Sequence, residues 1–253
     1  MEDLKMNKNI GQEFMRLTRY ENLGVYPKKE GAPTPTLEAP LEAGAVLIDL
    51  PASEDFALDS LDFKALIEKR ETLRKYTESP ISLDELAYLL WGTQGVKSVK
   101  APIFTKRTVP SAGSRHPFDT YLLVNKVTGL EPGLYRYMAI DHKLAKLPGF
   151  ENINQNLTEA CLKQQHVKDS AVTFAWTVYP NRTNWRYSDR GYRYIHLDAG
   201  HVCQNLYLLA ESIDCGICAI AAFDDVKANK ALGLDGEERF VIYLASLGKR
   251  ISA

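Results

Sequence analysis

A long segment with one apolar face places the strongest constraint on the fold. Between Tyr194 and Ile213 the apolar residues recur at helical spacing, and they are Ile195, Ala199, Val202, Leu206 and Leu209. A period of 3.6 residues aligns such positions along one side of a helix. The sequence therefore predicts a long helix, over roughly Tyr194–Ile213, that buries one face against the rest of the protein.

Segments rich in β-branched and aromatic residues predict the strands that this helix can cover. They are Asp119–Asn125, Gly133–Met138, Ala171–Tyr179 and Phe240–Leu247. A further helix is predicted from Leu83 to near Gly95, behind a Ser82–Glu85 capping box, and a short one over Asp224–Leu232. Because strands and helices are mixed without strict alternation, we predict an α+β fold around one mixed sheet.

The N-terminal part of the chain differs in composition from the remainder. Residues Asn9–Tyr20 predict a short amphipathic helix, and the segment Tyr26–Gly44 is rich in proline. Such a composition is typical of an extended stretch with little structure of its own. We therefore divide the chain into an N-terminal helix and proline-rich arm (1–57) and one compact domain (58–253), and expect the arm to lie on the body of the protein or on a partner subunit.

The charge balance restricts the kind of partner. The 253 residues contain 31 Lys and Arg against 32 Asp and Glu, a net charge of −1 at pH 7. Binding to nucleic acid or to a membrane surface requires an excess of positive charge, and no apolar run approaches the length of a membrane span. The N-terminus is polar, and four cysteines do not make a disulfide framework. We expect a cytoplasmic protein without a nucleic-acid or membrane partner.

The stretch KRETLRKY carries two arginines and a hydroxyl that can converge. Arg70 and Arg74 share one face of a helix, whereas in an extended chain Thr72 shares a face with both. Two guanidinium forks and a hydrogen-bond donor suit a phosphate group. The alternative is a solvated helix face on which the arginines pair with Glu68 and Glu71.

Two loops of small residues are candidates for contact with a ligand. Between Arg107 and Arg115 the chain reads TVPSAGS and runs directly into a predicted core strand. Loops held by a rigid element commonly carry binding groups, and the alternative is a plain turn. In Cys215–Asp225 (CGICAIAAFDD) the N–H groups of Ala219 to Ala222 could face a ligand, and the alternative is a buried strand.

Two other patterns also allow more than one interpretation. The spacing of Cys215 and Cys218 occurs in redox disulfides and zinc sites, but small buried thiols are common and are the simpler interpretation. The segment Asn184–His201 is dense in arginine and tyrosine. It could line the mouth of an active site or form a dimer surface.

Taken in order, these stretches resemble the motifs of the nitroreductase superfamily, and within it the SagB-type dehydrogenase branch. The resemblance runs from about Leu61 to Gly248. It rests on four segments, which are Arg70–Tyr76 (RETLRKY), Pro110–Pro117 (PSAGSRHP), Asp198–Leu206 (DAGHVCQNL) and Cys218–Asp225 (CAIAAFDD). Glu71 and Thr72 stand where the family has Arg and Ser. The resemblance implies a mainly antiparallel sheet flanked by helices, in a homodimer.

The resemblance also implies FMN at the homodimer interface. Hydride would pass through the flavin N5 from NAD(P)H, a transient donor, to a small conjugated or aromatic acceptor. Arg70, Thr72 and Arg74 are assigned to the FMN phosphate, with Lys249 or Arg250 as an added contact. The remaining assigned contacts are Pro110, Ser111, Ala112, Gly113, Ser114, Ala221 and Ala222.

Four residues are candidates for tuning the reaction. A cation near N1 and O2 would stabilise reduced flavin, and Arg107 and Arg115 are available. The azoline-oxidising branch has a Lys-Tyr pair as base and partner, and the matching pair here is Arg186-Tyr187. Arginine stays protonated and is a poor general base, which disfavours peptide azoline oxidation, whereas Tyr187 can donate a proton or orient a substrate. Two alternatives are a flavin-holding subunit of a modifying complex and a C-x-x-C thiol oxidoreductase.

Overall fold

The protein is described by a computed structural model over residues 9–52, 56 and 62–251. The strands, numbered in chain order, are β1 (Val46–Asp49), β2 (Val96–Lys100), β3 (Phe104–Arg107), β4 (Phe118–Val124), β5 (Gly133–Met138), β6 (Lys143–Lys146), β7 (Val172–Val178), β8 (Cys215–Ile220) and β9 (Phe240–Lys249). The helices are α1 (Ile10–Leu17), α2 (Phe63–Lys69), α3 (Leu83–Gln94), α4 (Ile153–Ala160), α5 (Gln165–Asp169), α6 (Asn181–Tyr187), α7 (Gly191–Glu211) and α8 (Asp225–Ala231). None of the helices in these ranges combines the length and the apolar character needed to cross a membrane.

A seven-stranded sheet of order β1-β6-β5-β4-β7-β9-β8 forms the centre of the fold. Every neighbouring pair in it is antiparallel. The central strands β4 and β7 are buried at every position, because helices cover both faces. Leu122 faces the core under α3 and α7, whereas Leu123 faces a second core under α4 and α8. This confirms the predicted α+β fold with a mainly antiparallel sheet flanked by helices.

The predicted elements are present with small shifts at their ends. The four predicted strands correspond to β4, β5, β7 and β9. The capping box of α3 is confirmed, since Glu85 N donates to Ser82 Oγ at 3.1 Å and Ser82 N donates to Glu85 Oε2 at 2.8 Å. The long helix α7 starts at Gly191, three residues before its predicted start, and ends at Glu211. Strands β1, β2, β3 and β6 were not predicted, and β8 was predicted only as one alternative for its segment.

The proline-rich arm lies on the body of its own chain, which is one of the two expected arrangements. Trp185 Nε1 donates to Ala32 O at 2.9 Å, and Arg182 Nε donates to Thr36 O at 3.0 Å. Buried Arg136 pairs with Glu42 at 2.7 Å. Strand β1, which the sequence analysis assigned to the arm, adds an edge to the sheet by pairing with β6. The expected domain boundary at residues 57 and 58 lies outside the described residues.

Candidate functional site

The arginine-bearing stretch runs extended along β8, the last strand of the sheet. Helix α2 ends at Lys69 and Arg70 caps it. From there Leu73 N donates to Ile217 O at 2.9 Å, and Thr72 forms a parallel bridge with Ile217. Of the two conformations considered for this stretch, the structure therefore has the extended one, in which alternate residues share a face.

Alternate residues of this stretch contact different partners. Thr72 Oγ1 lies 2.9 Å from Tyr207 Oη on α7, and the Arg70 guanidinium stacks over the same ring at 5.4 Å. Glu71 instead pairs with Arg250 at 2.6 Å. Arg70 and Thr72 are thus on the side of the stretch that faces Tyr207, away from the Glu71 ion pair.

Neither arginine of the stretch is neutralised within the described part of the chain. Glu68 pairs with Lys64 at 3.6 Å and Glu71 pairs with Arg250, so the alternative in which these glutamates pair with Arg70 and Arg74 does not occur. Arg70 is partly exposed and Arg74 is exposed. Two free guanidinium groups beside a hydroxyl form a donor set that fits a phosphate group.

A chain of hydrogen bonds links this stretch to the loop after β8. Tyr76 Oη lies 2.8 Å from Ser246 Oγ, which lies 2.8 Å from His166 Nδ1. His166 Nε2 lies 3.1 Å from Gln164 Oε1, and Gln164 Nε2 donates to Ala222 O at 2.9 Å. Because the Gln164 amide nitrogen donates to a carbonyl, Gln164 Oε1 accepts from His166 Nε2–H, and His166 Nδ1 accepts from Ser246.

The surroundings of His166 disfavour its protonated form. Burial lowers the pKa of His166, and the charge of Arg74 lowers it further. Arg74 also acts on Cys218, where it opposes the burial that raises the pKa of that thiol. Both effects indicate that the Arg74 guanidinium lies close enough to His166 and Cys218 to act on them electrostatically.

The loop after β8 presents main-chain donors. The strand ends at Ile220, and Ala221 and Ala222 are exposed. Within the described ranges no hydrogen bond engages the N–H of either alanine. Asp224 then caps α8 by accepting from Lys227 N at 3.0 Å. Both interpretations of this segment hold in part, since a buried strand leads into two exposed residues whose N–H groups have no acceptor among the described residues. We call Arg70, Thr72, Arg74, Ala221 and Ala222 the arginine cluster.

The loop that contains Pro110–Gly113, here called the PSAG loop, is bound to α7 through hydrogen bonds to the buried carboxylate of Asp198. Ser111 Oγ donates to Asp198 Oδ2 at 2.6 Å, and Ala112 N donates to the same oxygen at 3.2 Å. His116 N in turn donates to Ser111 Oγ at 2.9 Å. Burial raises the pKa of Asp198, and the hydrogen bonds from Ser111 and Ala112 oppose this shift. The loop is therefore held by specific contacts and is more than a plain turn.

Gly113 brings the loop against the Arg186-Tyr187 pair. Its φ of +60° lies in the left-handed region, which glycine adopts without steric cost. A Cβ at this position would lie 2.5 Å from Tyr187 Oη and 3.2 Å from an Arg186 guanidinium nitrogen. Tyr187 also packs edge-on against Tyr194, with ring centroids 5.0 Å apart. We call Pro110, Ser111, Ala112, Gly113, Ser114, Arg186 and Tyr187 the loop cluster.

The two clusters occupy different places along α7. Ser111 of the loop cluster contacts α7 at Asp198, and Thr72 of the arginine cluster contacts it at Tyr207. Nine residues at 1.5 Å each separate these anchors by about 14 Å. No hydrogen bond or ion pair between described residues joins the two clusters. A single copy of the chain therefore brings the predicted site residues together in two groups instead of one.

Arg107 and Arg115 are used to support the loop from inside. Arg107 donates to Gln94 Oε1 at 3.0 Å and to Thr105 Oγ1 at 3.1 Å. Arg115 Nε donates to a main-chain carbonyl, Arg182 O, at 2.6 Å. Both side chains are buried. Arg115 thus has a structural role, while Arg107 also borders a cavity beside the loop.

Lys249 and Arg250 have partners other than the one expected. Lys249 Nζ pairs with Glu85 and donates to Ile213 O at 2.9 Å. Arg250 pairs with Glu71 and with Glu211, each at 2.6 Å. Since carboxylates already neutralise both cations, we leave them out of the arginine cluster.

The cysteines match the simpler of their interpretations. Cys215 and Cys218 are free and buried in β8, and an odd spacing in a strand points them to opposite faces. Burial raises the pKa of Cys215 to about 12, so its thiolate is scarce. Among the residues that the structure describes, no group of three His, Cys, Asp or Glu could hold a metal ion.

Four residues with clear roles in these contacts were not singled out by the sequence analysis. Asp198 stands in a quoted motif, but its contact with Ser111 spans 87 positions. Tyr207 lies beside the apolar stripe of α7 that was used to predict the helix. Gln164 lies just before α5 and His166 lies within it, where the sequence carries no recognisable pattern.

Comparison with known families agrees with the fold. The model of the nitroreductase family matches residues 67–249. The chain therefore belongs to the nitroreductase family and is an oxidoreductase of that family. It is similar to a protein named as a nitroreductase, MJ1384 of Methanocaldococcus jannaschii, with 32% identity over 81% of this chain and 96% of the relative. It is also 30% identical to the trifolitoxin-processing protein TfxB of Rhizobium leguminosarum bv. trifolii, over 54% of this chain and 33% of that protein.

Solved structures show the same fold. A nitroreductase-like protein from Anabaena variabilis superposes with a TM-score of 0.67 at 27% identity, over 83% of this chain and 42% of that one. The Escherichia coli microcin synthetase McbBCD complex gives a TM-score of 0.62 at 17% identity, over 95% of this chain and 87% of that one. The NADPH:FMN oxidoreductase of Vibrio harveyi gives a TM-score of 0.53 at 15% identity, over 75% of this chain and 69% of that one. The last two likenesses concern the fold alone.

Proposed function

We propose that the protein is an FMN-dependent oxidoreductase that passes hydride from NAD(P)H to a small conjugated or aromatic acceptor. The observation that carries this proposal is the arginine cluster, in which the Thr72 hydroxyl stands between Arg70 and Arg74 on an extended stretch, and neither arginine pairs with a carboxylate of the described residues. The family membership and the named NADPH:FMN oxidoreductase of the same fold support it. FMN, once bound, supplies the hydride chemistry at N5, and the protein supplies position and field.

The arginine cluster fits the two ends of the cofactor. Arg70, Thr72 and Arg74 offer charged and neutral donors to a phosphate. Past the end of β8, the N–H groups of Ala221 and Ala222 have no acceptor among the described residues, and they suit the N5 and O4 edge of a flavin ring. The hydrogen-bond chain through His166 and Gln164 holds these two ends in fixed register.

We further propose that the functional unit is a homodimer. About 14 Å of α7 separates the anchors of the two clusters in one protomer, so a loop cluster supplied by a second copy is the arrangement that closes the site. In that arrangement Ser111 and Ser114 line the flavin, and Tyr187 stands over it to orient a substrate or donate a proton.

A second candidate is a SagB-type flavin dehydrogenase, or a flavin-holding subunit with low activity alone, in a complex that modifies a peptide or natural product. The similarity to a protein named for trifolitoxin processing favours it. Arg186 weighs against azoline oxidation, because a guanidinium cannot accept the proton. Steady NAD(P)H turnover with quinone or nitroaromatic acceptors by the isolated protein would reject the low-activity subunit.

The first experiment compares FMN with riboflavin, which lacks the phosphate. The purified protein should bind FMN with a rise in melting temperature and flavin absorbance. In the Arg70→Ala/Arg74→Ala variant, FMN affinity should fall by about two orders of magnitude while riboflavin affinity changes little. Lys75→Ala is the matched control, since it removes an exposed cation of the same stretch. If the wild-type protein binds no flavin, or binds FMN and riboflavin with equal affinity, the proposal is contradicted.

A further inference from the structure

The β2–β3 hairpin carries three lysines that have no ion-pair partner among the described residues. It contains Lys97, Lys100 and Lys106, and no acidic residue occurs between Leu86 and Phe118. All three lysines are exposed. None of them forms an ion pair with a residue that the structure describes. In a chain with a net charge of −1, this hairpin is a local excess of cations beside the loop cluster.

A β-bulge brings two of these lysines to one side. Val96 pairs with Arg107 and Ser98 pairs with Lys106, so Lys97 is the extra residue between the two pairs. A bulge re-aims the side chain it carries and recurs next to functional sites. Lys97 and Lys106 accordingly border one cavity of about 440 Å³, whereas Lys100 lies 6.0 Å from the Phe104 ring and does not border it.

The other walls of this cavity belong to the loop cluster. They include Pro110, Ser111 and Ser114, together with Arg107 and His116. Burial lowers the pKa of His116 to about 3, so the imidazole is neutral and the charge comes from the two lysines and Arg107. No carboxylate is among the lining residues. Ser111 is held by Asp198, and Glu38 acts on the charge of Arg107. The two exposed lysines, which have no ion-pair partner among the described residues, are therefore the groups that attract an anion.

We infer that this cavity binds an anionic group of a substrate, a phosphate or a carboxylate, and so selects anionic reactants for the adjacent site. The inference rests on the proposed function, because the cavity adjoins the loop expected to line the flavin. Lysine ammonium groups act as point charges on flexible stems and do not demand the planar geometry that an arginine fork does. The anion has two sources, which are the phosphates of the nicotinamide dinucleotide and an acidic group on the acceptor.

The test uses the full chain loaded with FMN and the Lys97→Gln/Lys106→Gln variant. Lys100→Gln is the matched control, since it removes a cation from the same hairpin outside the cavity. The donor arm compares NADH with 1-benzyl-1,4-dihydronicotinamide, which has no phosphate. The acceptor arm compares 4-nitrobenzoate with nitrobenzene. The KM for each charged reactant is expressed relative to that of its neutral partner.

We expect the double variant to raise that KM ratio about tenfold or more in one arm, with little change in kcat. A rise in the donor arm identifies the dinucleotide phosphates, and a rise in the acceptor arm identifies the acceptor. Added salt should reduce the wild-type preference. Equal ratios in the double variant and the Lys100→Gln control overturn the inference while leaving the proposed function intact.

A second readout does not depend on flavin. Calorimetry of the protein without FMN, titrated with inorganic pyrophosphate and with 4-nitrobenzoate, should show binding of at least one probe. The double variant should lose that binding and Lys100→Gln should keep it. If the wild-type protein binds no FMN but passes this titration, the proposed function fails and the anion site stands. If neither probe binds, the anion site fails.

Discussion

Ser111 on the PSAG loop donates to Asp198 on α7 at 2.6 Å, across 87 positions of sequence. The same carboxylate also accepts from the main chain of the loop. Asp198 is buried, and no arginine or lysine pairs with it among the described residues. The loop is therefore positioned by hydrogen bonds to one carboxylate.

Asp198→Asn should loosen the loop without removing bulk. An amide nitrogen would face donors that need an acceptor, and an unsatisfied buried group costs about 1–3 kcal/mol. We expect the free energy of unfolding, measured in urea, to fall by that amount, and FMN affinity to fall with it. Ser111→Ala should produce a smaller loss, because the bond from Ala112 N to the carboxylate remains. An Asp198→Asn protein as stable as wild type contradicts the assignment.

Gly113→Ala should be costly for two separable reasons. A left-handed φ costs a residue with a side chain about 1–2 kcal/mol, and the new methyl group would meet Tyr187 Oη at 2.5 Å. Tyr187→Phe removes that oxygen. In a double-mutant cycle, Gly113→Ala should therefore destabilise the Tyr187→Phe protein less than the wild type. Strict additivity would show that the two residues do not touch.

Mixing two inactive variants tests whether the site is shared between protomers. One variant is Arg70→Ala/Arg74→Ala and the other is Ser111→Ala/Gly113→Ala. If each site combines the arginine cluster of one copy with the loop cluster of the other, a heterodimer has one intact site. Random exchange should then restore about a quarter of wild-type turnover. Mixtures that form heterodimers and stay inactive would show that both clusters act within one chain.

Acid should destabilise the protein through His116. Burial lowers its pKa to about 3, and the nearby charge of Arg107 contributes in the same direction, against 6.5 for an ordinary histidine. Between these values the unfolded chain binds more protons than the folded one, so stability falls as the pH drops from 6.5 towards 3. In His116→Gln, the urea midpoint of unfolding should fall less between pH 7 and pH 4 than it does in the wild type. The exposed His196→Gln serves as the control and should keep the wild-type slope.

The cysteines should be inert in the folded protein. All four are buried and free, and burial raises the pKa of Cys161, Cys203 and Cys215 to about 12. Because the thiolate is the nucleophile, iodoacetamide should label none of them until urea unfolds the chain. Flavin turnover should survive the same treatment. Rapid labelling of Cys215 or Cys218 in the native state would revive the thiol oxidoreductase hypothesis.

Local patterns predicted the main elements, because those elements carry strong local signals. The capping box at Ser82 located α3 within a residue, and β-branched and aromatic runs located the inner strands. Strands β1 and β6 have only four residues each, which is too short for a reliable alternation. The extended form of the Arg70–Tyr76 stretch was one of two alternatives, and only its pairing with Ile217 decides between them.

The arrangement of the candidate site depends on contacts that sequence spacing does not reveal. Thr72 meets Tyr207 across 135 positions, and the carboxylates that neutralise Lys249 and Arg250 come from separate helices and from the stretch itself. A motif indicates which residue types occur together, but the ion pairs that remove some of them from a site appear only when the chain is folded.

The pairing of Leu73 with Ile217 has a consequence beyond ligand binding. An outer strand with unsatisfied N–H and C=O groups is a template for aggregation. The Arg70–Tyr76 stretch lies along the outer edge of β8 and so hinders another chain from pairing there. Residues that present cations to a ligand thus also keep neighbouring molecules from adding strands to this sheet. Damage to the stretch should consequently appear first as turbidity in a concentrated sample.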